Sequence, residues 1–384
     1  MKKLTLFLAL LLCASFLLTA CNGDNTPDTT PAVTEAPTEP LTPEQQLAAD
    51  REAYLSTVTY RNFVLTGEDE PFYMGRWFDK EIEGATHKVT LTDGAHLYFL
   101  IENAASFDAT FTVITTGEEP YFAYSIDGAE PIRQHITEPT VTLPDTGRHT
   151  VRIIADGMTE GEGKWDLEKG FALKSVTPAE GGSIVGIKPT EKVVFFYGDS
   201  ITEGIRALNM NATSDGNSAT NAYSWQCAEA LGVTPYVIGY GASGIIMEGS
   251  FSTMLNAIDY LSDGRPVDDD VKPDVIVVNH GSNDVGQNRL LFEEQLTVTL
   301  NRLREKYPEA PIVYLIPFEQ THSRVIPGVV EKMENAYVIE TRKWEITYTD
   351  GIHPDAAGAK AAGDQLAAAL TAIFGENYFK DQAR

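Results

Sequence analysis

Two different periodicities of apolar residues divide the chain. Between about residues 61 and 175, apolar residues alternate with polar ones or come in short runs, which predicts β-strands. The predicted strands are residues 87–91, 97–101, 110–114, 121–124, 140–143 and 149–154. Turn-forming residues stand between or after them, at 92–94, 126–128, 144–147 and 155–157. Regularly spaced strands without intervening helices predict an all-β sandwich of jelly-roll type over residues 51–182.

From Val193 onward, short apolar runs alternate with longer stretches of helical periodicity. The predicted strands are residues 193–197, 235–239, 275–279, 312–316 and 336–339, and the predicted helices are 223–231, 251–261, 289–307 and 356–373. Such an alternation builds a parallel sheet with helices on both faces, and its site lies at the carboxyl ends of the strands. We therefore predict a three-layer α/β/α domain over residues 183–384, in which 209–221 and 264–270 are surface insertions.

The amino terminus has the layout of a secretory signal, because Lys2 and Lys3 precede an apolar run that ends at Ala20. Residues 18–21, Leu-Thr-Ala-Cys, resemble a bacterial lipobox, which implies that residues 1–20 are removed and Cys21 carries lipid. A cleaved signal with a chance cysteine is the alternative. Residues 21–50 are predicted to be a disordered tether, because 22–43 contain almost no large apolar residue. The expected location is the outer face of a bacterial cell membrane, with lipid as the only membrane contact.

Composition and charge exclude several classes of partner. The chain has 55 acidic and 29 basic residues, a formal charge of −26, and no basic patch, so nucleic acid is not an expected partner. Cys227 is the only cysteine outside the predicted signal and lipid site, and its apolar surroundings favour a buried thiol over a nucleophile. Metal-ligand spacings are missing, and the sequence predicts neither a metal nor another cofactor.

Two polar segments have the composition of a nucleophile and its base. Ser200 lies in the sequence Gly-Asp-Ser directly after the first predicted strand of the α/β domain, and a serine hydroxyl needs a base to become nucleophilic. His353 precedes the last predicted helix and stands three residues after Asp350. A carboxylate at that spacing can orient the imidazole ring while the other ring nitrogen faces the serine.

Two further segments contain hydrogen-bond donors. Residues 239–244, Gly-Tyr-Gly-Ala-Ser-Gly, follow the second predicted strand, and residues 281–284, Gly-Ser-Asn-Asp, follow the third. A glycine N–H and an asparagine amide are the donors that the oxyanion of an acyl-transfer transition state requires. The nearby Asp199, Asp284, His280 and His322 are expected to be structural, with hydrogen bonds that shape their loops.

Together and in this order, the four segments resemble the SGNH or GDSL hydrolase superfamily, over residues 193–384. The resemblance implies a flavodoxin-like parallel sheet, with Ser200 as nucleophile, His353 as general base and Asp350 as the partner that orients the histidine. It also implies an oxyanion hole formed by the N–H of Ser200, Gly244 and Asn283. Gly241 is the alternative to Gly244 within its segment.

The all-β domain before the serine segment resembles the architecture of acetyl esterases of carbohydrate esterase family 2. Two positions depart from that family: residues 203–206 read Glu-Gly-Ile-Arg where a Gly-Tyr-Gly-like sequence is expected, and Val285 replaces an aromatic residue. Trp344 or Tyr348, on the loop before Asp350, are candidates to contact the sugar instead.

The second resemblance implies an O-acetyl esterase that acts on acetylated plant cell-wall polysaccharide, of the xylan or glucomannan type, through a Ser-His-Asp acyl-enzyme mechanism. One alternative is a lipase or thioesterase with the same catalytic residues. Another is a glycan-binding lipoprotein whose hydrolase domain is vestigial. Transfer of the acetyl group to a second sugar is a further alternative, since a sugar hydroxyl can replace water.

Overall fold

The structure, a computed structural model, describes Thr42, residues 63–268 and residues 270–380. The predicted signal, the predicted lipid site Cys21 and, apart from Thr42, the predicted tether lie outside the described residues. No helix within residues 63–268 and 270–380 combines the length and apolar character needed to cross a membrane.

The amino-terminal domain consists of two antiparallel sheets. Its strands are β1 (Phe63–Leu65), β2 (Phe72–Met74), β3 (Trp77–Ile82), β4 (Ala85–Thr90), β5 (His96–Glu102), β6 (Ser106–Val113), β7 (Tyr121–Ile126), β8 (Ile132–His135), β9 (Thr140–Thr142), β10 (His149–Gly157), β11 (Phe171–Pro178) and β12 (Ser183–Pro189). The first sheet has the order β1-β12-β5-β10-β7-β8, with β2 also paired to β5, and the second has the order β3-β4-β11-β6-β9. A short helix, α1 (Lys164–Leu167), lies between β10 and β11. All six predicted strands form, and the predicted all-β domain is confirmed.

Strand β5 is buried on both of its faces, which explains its uninterrupted apolar run. Leu97, Phe99 and Ile101 belong to the core between the two sheets. Tyr98 and Leu100, on the opposite face, belong to a core that is shared with the carboxyl-terminal domain. The first sheet therefore contributes side chains to two hydrophobic cores, one on each of its faces.

Two predicted features of the all-β domain are wrong. Residues 155–157 are not a turn, because Asp156 lies inside β10 at a register shift between Ala155 and Gly157, and its carboxylate is fully buried among hydrogen-bond donors. The domain also does not end at residue 182, because β12 pairs with β5 in the first sheet. Polar and glycine residues indicated a turn and a linker at these places, whereas tertiary contacts keep both segments in strands.

The carboxyl-terminal domain has five parallel strands with helices on both faces. The strands are β13 (Val193–Gly198), β14 (Thr234–Gly239), β17 (Val275–Asn279), β18 (Ile312–Leu315) and β19 (Ala336–Ile339), in the order β14-β13-β17-β18-β19. This is the strand order of flavodoxin-like folds. The main helices are α2 (Ser200–Glu203), α3 (Tyr223–Leu231), α4 (Met254–Asp259), α5 (Arg289–Lys306), α6 (Ile326–Val330) and α7 (Ala356–Phe374). Helices α4, α5 and α6 cover one face, and α3 and α7 cover the other.

The predicted strands and helices of this domain form with small shifts at their ends, with one exception. The helix predicted over residues 251–261 is shorter, because α4 ends at Asp259 and is followed by a two-stranded ribbon of β15 (Tyr260–Ser262) and β16 (Arg265–Pro266). The ribbon occupies part of the segment predicted as a second surface insertion. Glu168, just after α1, accepts hydrogen bonds from Ser262 and Arg265 at 2.8 Å each.

Residues 209–221 are not a surface insertion, because much of this segment is buried against the all-β domain. The guanidinium of Arg133 donates hydrogen bonds to the carbonyl groups of Ser214 and, at 2.9 Å, Asn217. Asp156 accepts hydrogen bonds from Arg133 at 2.8 Å, from the Ser218 hydroxyl at 3.0 Å, and from the N–H and hydroxyl of Thr220 at 2.8 and 2.7 Å. The Asp156 carboxylate thus joins the two domains.

Replacement of Asp156 by alanine is expected to lower the free energy of unfolding by about 3–5 kcal/mol, because it leaves Arg133 and several buried donors without their acceptor. Urea denaturation followed by circular dichroism measures this loss. Asp79→Ala is the matched control, since Asp79 is 58% exposed and pairs with Lys88 at the surface, and it is expected to cost less than about 1 kcal/mol. Equal losses in the two variants would contradict the role of Asp156.

Candidate active site

Ser200, His353 and Asp350 form a continuous chain of polar contacts. His353 Nε2 lies 2.9 Å from Ser200 Oγ, and His353 Nδ1 lies 2.8 Å from Asp350 Oδ2. Ser200 begins α2 at the carboxyl end of β13, whereas Asp350 and His353 lie on the loop before α7. In this arrangement the imidazole can accept the proton of the Ser200 hydroxyl while the Asp350 carboxylate orients the ring.

The turn that presents Ser200 has a physical reason for each of its residues. Asp199 caps α2, because its carboxylate accepts a hydrogen bond from the N–H of Ile201 at 3.0 Å. Gly198 faces Thr202 so closely that a Cβ atom on the glycine would lie 2.5 Å from the Thr202 Cβ. In the Gly-Asp-Ser sequence, the glycine therefore allows close packing, the aspartate caps the helix and the serine provides the hydroxyl.

Asp350 is held as a carboxylate by donors on several sides. Its Oδ1 accepts the N–H of Ile352 at 3.0 Å and that of His353 at 2.8 Å, and its Oδ2 contacts Arg206 at 2.5 Å besides the His353 ring. Burial opposes ionisation, but these hydrogen bonds outweigh it and hold the pKa of Asp350 well below its usual range. Asp350 is therefore ionised when the His353 imidazole accepts a proton and becomes an imidazolium.

Glu203 and Arg206, at the positions where a Gly-Tyr-Gly-like sequence was expected, both have charged partners. Arg206 pairs with Asp350, as described above. Glu203 pairs with Lys164 of α1, and both side chains are fully buried. Residues 203–206 therefore connect α2 to the all-β domain through the Glu203–Lys164 pair, and to Asp350 through Arg206.

The expected oxyanion donors differ in their availability. The N–H of Ser200 has no hydrogen-bond partner among the described residues. The amide of Asn283 donates to the carbonyl of Ser243 at 2.9 Å, which uses one of its two hydrogens. The N–H of Gly244 donates to the Met247 carbonyl at 2.8 Å, so its expected role as an oxyanion donor stays a prediction.

Gly244 nevertheless has to be glycine. A Cβ atom at this position would lie 2.6 Å from the Asp284 carboxylate oxygens. That carboxylate accepts the N–H groups of Ile245, Ile246 and Met247 at 2.7, 2.9 and 3.0 Å. The structural role that we expected for Asp284 is thereby confirmed, since it shapes the loop after β14.

Residues 196–361 match the GDSL-like Lipase/Acylhydrolase family. The carboxyl-terminal domain is a GDSL/SGNH esterase domain. No curated protein sequence matches the chain significantly.

Several solved structures resemble the whole described fold. A family two carbohydrate esterase from Clostridium thermocellum in complex with cellohexaose has a TM-score of 0.64 and 19% identity, over 80% of this chain and 99% of that one. A family two carbohydrate esterase from Cellvibrio japonicus has a TM-score of 0.65 and 17% identity, over 82% and 98%. An acetyl xylan esterase from the rumen bacterium Butyrivibrio proteoclasticus has a TM-score of 0.62 and 15% identity, over 83% and 100%. At such identities these likenesses establish the fold, an all-β domain followed by an SGNH hydrolase domain.

The two aromatic residues expected to contact sugar are both partly buried in the GDSL domain. Trp344 and Tyr348 pack against the hydrophobic core beneath α3 and α7, and the Trp344 ring lies 5.9 Å from that of Phe318. Tyr348 also forms an isolated β-bridge with Pro354, next to His353. Their contact with a substrate stays a prediction.

Other polar residues near the site have structural environments. His322 Nε2 donates a hydrogen bond to the Asp284 carbonyl, 2.9 Å away, and the His322 ring stacks on Phe292 at 3.7 Å. His280 and Cys227 are buried, and burial raises the pKa of the Cys227 thiol well above its usual value. Within residues 63–268 and 270–380, no group of three or more His, Cys, Asp or Glu side chains is arranged to hold a metal ion.

Two carboxylates near His353 were missed by sequence reasoning. Glu319 follows β18 and accepts a hydrogen bond from the Ser282 hydroxyl at 3.0 Å, and Glu160 comes from the all-β domain. Burial raises the pKa of both, and the charge of His353 opposes this effect in both. No local motif marks either residue, because they reach the site only through the packing of separate segments.

His280 makes the stability of the GDSL domain depend on pH. Burial lowers its pKa to about 4, below the value of about 6.5 in an unfolded chain, so its neutral form stabilises the fold fully above pH 6.5. As the pH falls from 6.5 toward 4, the unfolded state gains a proton first and this stability is lost. Between about pH 7.5 and pH 4.5 we expect a loss of about 2.5 kcal/mol that His280→Gln abolishes.

Urea denaturation at the two pH values measures the loss in the wild type and in the variant. His135→Gln serves as the control, because the side chain of His135 is 23% exposed on the all-β domain. If His280→Gln loses as much stability on acidification as the wild type, the buried histidine is not the cause.

Proposed function

We propose that the protein is a carbohydrate O-acetyl esterase that removes acetyl groups from plant cell-wall polysaccharide of the xylan or glucomannan type. The observation that carries the proposal is the continuous contact chain from Ser200 Oγ through His353 to Asp350 in a GDSL/SGNH esterase domain. The substrate class is supported by similar structures, one named an acetyl xylan esterase and another a complex with cellohexaose.

In the proposed reaction Ser200 Oγ attacks the carbonyl carbon of the acetyl ester while His353 Nε2 takes the hydroxyl proton. The tetrahedral intermediate collapses as His353 gives that proton to the departing sugar oxygen, which leaves an acetyl group on Ser200. Water then attacks this acyl-enzyme with His353 again as base, and acetate leaves as the proton returns to Ser200. The charge of Asp350 stabilises the imidazolium that forms in both steps.

The developing oxyanion is stabilised by hydrogen bonds from the Ser200 N–H and from the second amide hydrogen of Asn283. Gly244 would add a third donor only after its N–H leaves the Met247 carbonyl. We therefore propose that Ser200 and Asn283 donate without a conformational change. Gly244 would donate only after the loop that follows β14 has rearranged.

A lipase or thioesterase activity is the second candidate, and one observation favours it. Three exposed apolar side chains are neighbours in sequence or space of the catalytic groups: Val285 (71% exposed), Met247 (37%) and Ile352 (48%). Val285 follows Asn283 by two residues, and Ile352 precedes His353 directly. An apolar rim of this kind is suited to a longer acyl chain or to an apolar part of the alcohol.

The Ser200→Ala variant is expected to lose about 10⁴-fold or more in acetate release, because it lacks the nucleophile, while its circular dichroism spectrum stays unchanged. Acid release is measured from acetylated xylan, acetylated glucomannan and esters of increasing acyl length. Ser175→Ala, on strand β11, is the matched control. Turnover retained in Ser200→Ala would refute the assignment, and rates that rise with acyl length would favour the lipase or thioesterase.

We also propose that the protein is attached to the outer face of the bacterial membrane through lipid on Cys21, on the basis of the lipobox-like sequence. In a bacterial host that processes lipoproteins, the wild-type chain is expected in the membrane fraction and Cys21→Ser in the soluble or unprocessed fractions. Cell fractionation with radiolabelled palmitate tests this. Labelling of the Cys21→Ser chain would contradict the proposed attachment site.

A further inference from the structure

Glu160, from the all-β domain, lies beside a loop of the candidate active site. It lies in the segment between β10 and α1, and its N–H donates a hydrogen bond to the carbonyl of Ala212 at 2.9 Å. That bond attaches the segment to residues 209–221 of the GDSL domain. The position of the Glu160 side chain is therefore set by both domains.

The side chain packs against the loop that follows β14. A Cβ atom at Gly241 would lie 2.7 Å from Glu160 Cγ, so the glycine allows the carboxyl-bearing chain to approach the loop backbone. The same loop contains Ser243, which accepts the hydrogen bond of Asn283. Glu160 thus lies beside the loop that orients an oxyanion donor.

Charged groups of both domains act on the Glu160 carboxyl. Burial and the charge of Glu203 raise its pKa, while His353, Arg206 and Lys164 lower it. Unlike Glu319, which accepts the Ser282 hydroxyl, the Glu160 carboxylate has no hydrogen-bond donor among residues 63–268 and 270–380.

We infer that Glu160 binds hydroxyl groups of the sugar that carries the acetyl ester; this inference rests on the proposed function. The ester carbonyl must approach Asn283, whose amide is oriented by the loop against which Glu160 packs, so the neighbouring hydroxyls of that sugar fall beside the Glu160 carboxylate. A carboxylate has two oxygens and can accept from two vicinal hydroxyls, and hydrogen bonds to a charged group are the stronger ones. Glu160 is thus a substrate-binding residue contributed by the all-β domain.

Two esters separate this role from a purely structural one. The first is methyl β-xyloside with a single O-acetyl group, which keeps two free hydroxyls, and the second is 4-nitrophenyl acetate, which has none. For Glu160→Ala we expect kcat/KM to fall at least about tenfold on the xyloside ester, mainly through KM, and to change less than about twofold on 4-nitrophenyl acetate. Glu160→Gln keeps the size and one acceptor oxygen, so a smaller loss is expected on the xyloside ester.

Glu118→Gln, an exposed position of the all-β domain, is the matched control and is expected to behave like the wild type on both esters. Equal losses on both esters in Glu160→Ala would overturn the inference in favour of a packing role, and unchanged kinetics on both would overturn it as well. If the wild type hydrolyses 4-nitrophenyl acetate but neither the xyloside ester nor the matching mono-O-acetyl ester of methyl β-mannoside, the proposed carbohydrate function fails, and the inference with it. That failure is visible in the wild type alone.

Discussion

The structure depends on the burial of one antiparallel sheet on both of its faces. Alternate residues of β5 enter two different cores, one inside the all-β domain and one shared with the GDSL domain. A sheet whose second face is apolar cannot be exposed to water without a large cost, since each square ångström of apolar surface contributes about 25 cal/mol. The all-β domain is therefore a structural part of the esterase and not a separate module on a linker.

Polar contacts at the same boundary give the packing its specificity. Arg133 and Asp156 of the all-β domain bind the segment over residues 209–221, and Glu160 joins this segment to the loop after β14. Apolar burial alone would allow the two domains to slide, because it is not directional. Buried hydrogen bonds favour one alignment of the two domains, and in this alignment the Glu160 side chain packs against the loop after β14.

Sequence reasoning succeeded where a single local feature determines the structure. Hydrophobic periodicity was sufficient for the five parallel strands, and the motif around Ser200 could be assigned because a strand end, a helix cap and a hydroxyl lie within a few residues. It failed where partners come from distant segments. Asp156 has the composition of a turn, yet its donors lie more than sixty residues away in Ser218 and Thr220. A local turn was missed as well: Gly244 was expected as an oxyanion donor, and no sequence pattern indicates that the chain turns back to bring the Met247 carbonyl to its N–H.

The departure from the resembled family at residues 203–206 follows from the same boundary. Lys164 of α1 and Glu203 of α2 are a fully buried ion pair, and removal of either partner would leave an uncompensated charge. Asp93 is also fully buried, and burial together with the charge of Glu203 raises its pKa, whereas the charge of Lys164 lowers it. Because Glu203 belongs to the helix that begins with Ser200, the contact between domains and the position of the nucleophile depend on the same three side chains. A Gly-Tyr-Gly-like segment could replace residues 203–206 only together with a change at Lys164, and the charged segment is therefore best explained as half of an interdomain contact.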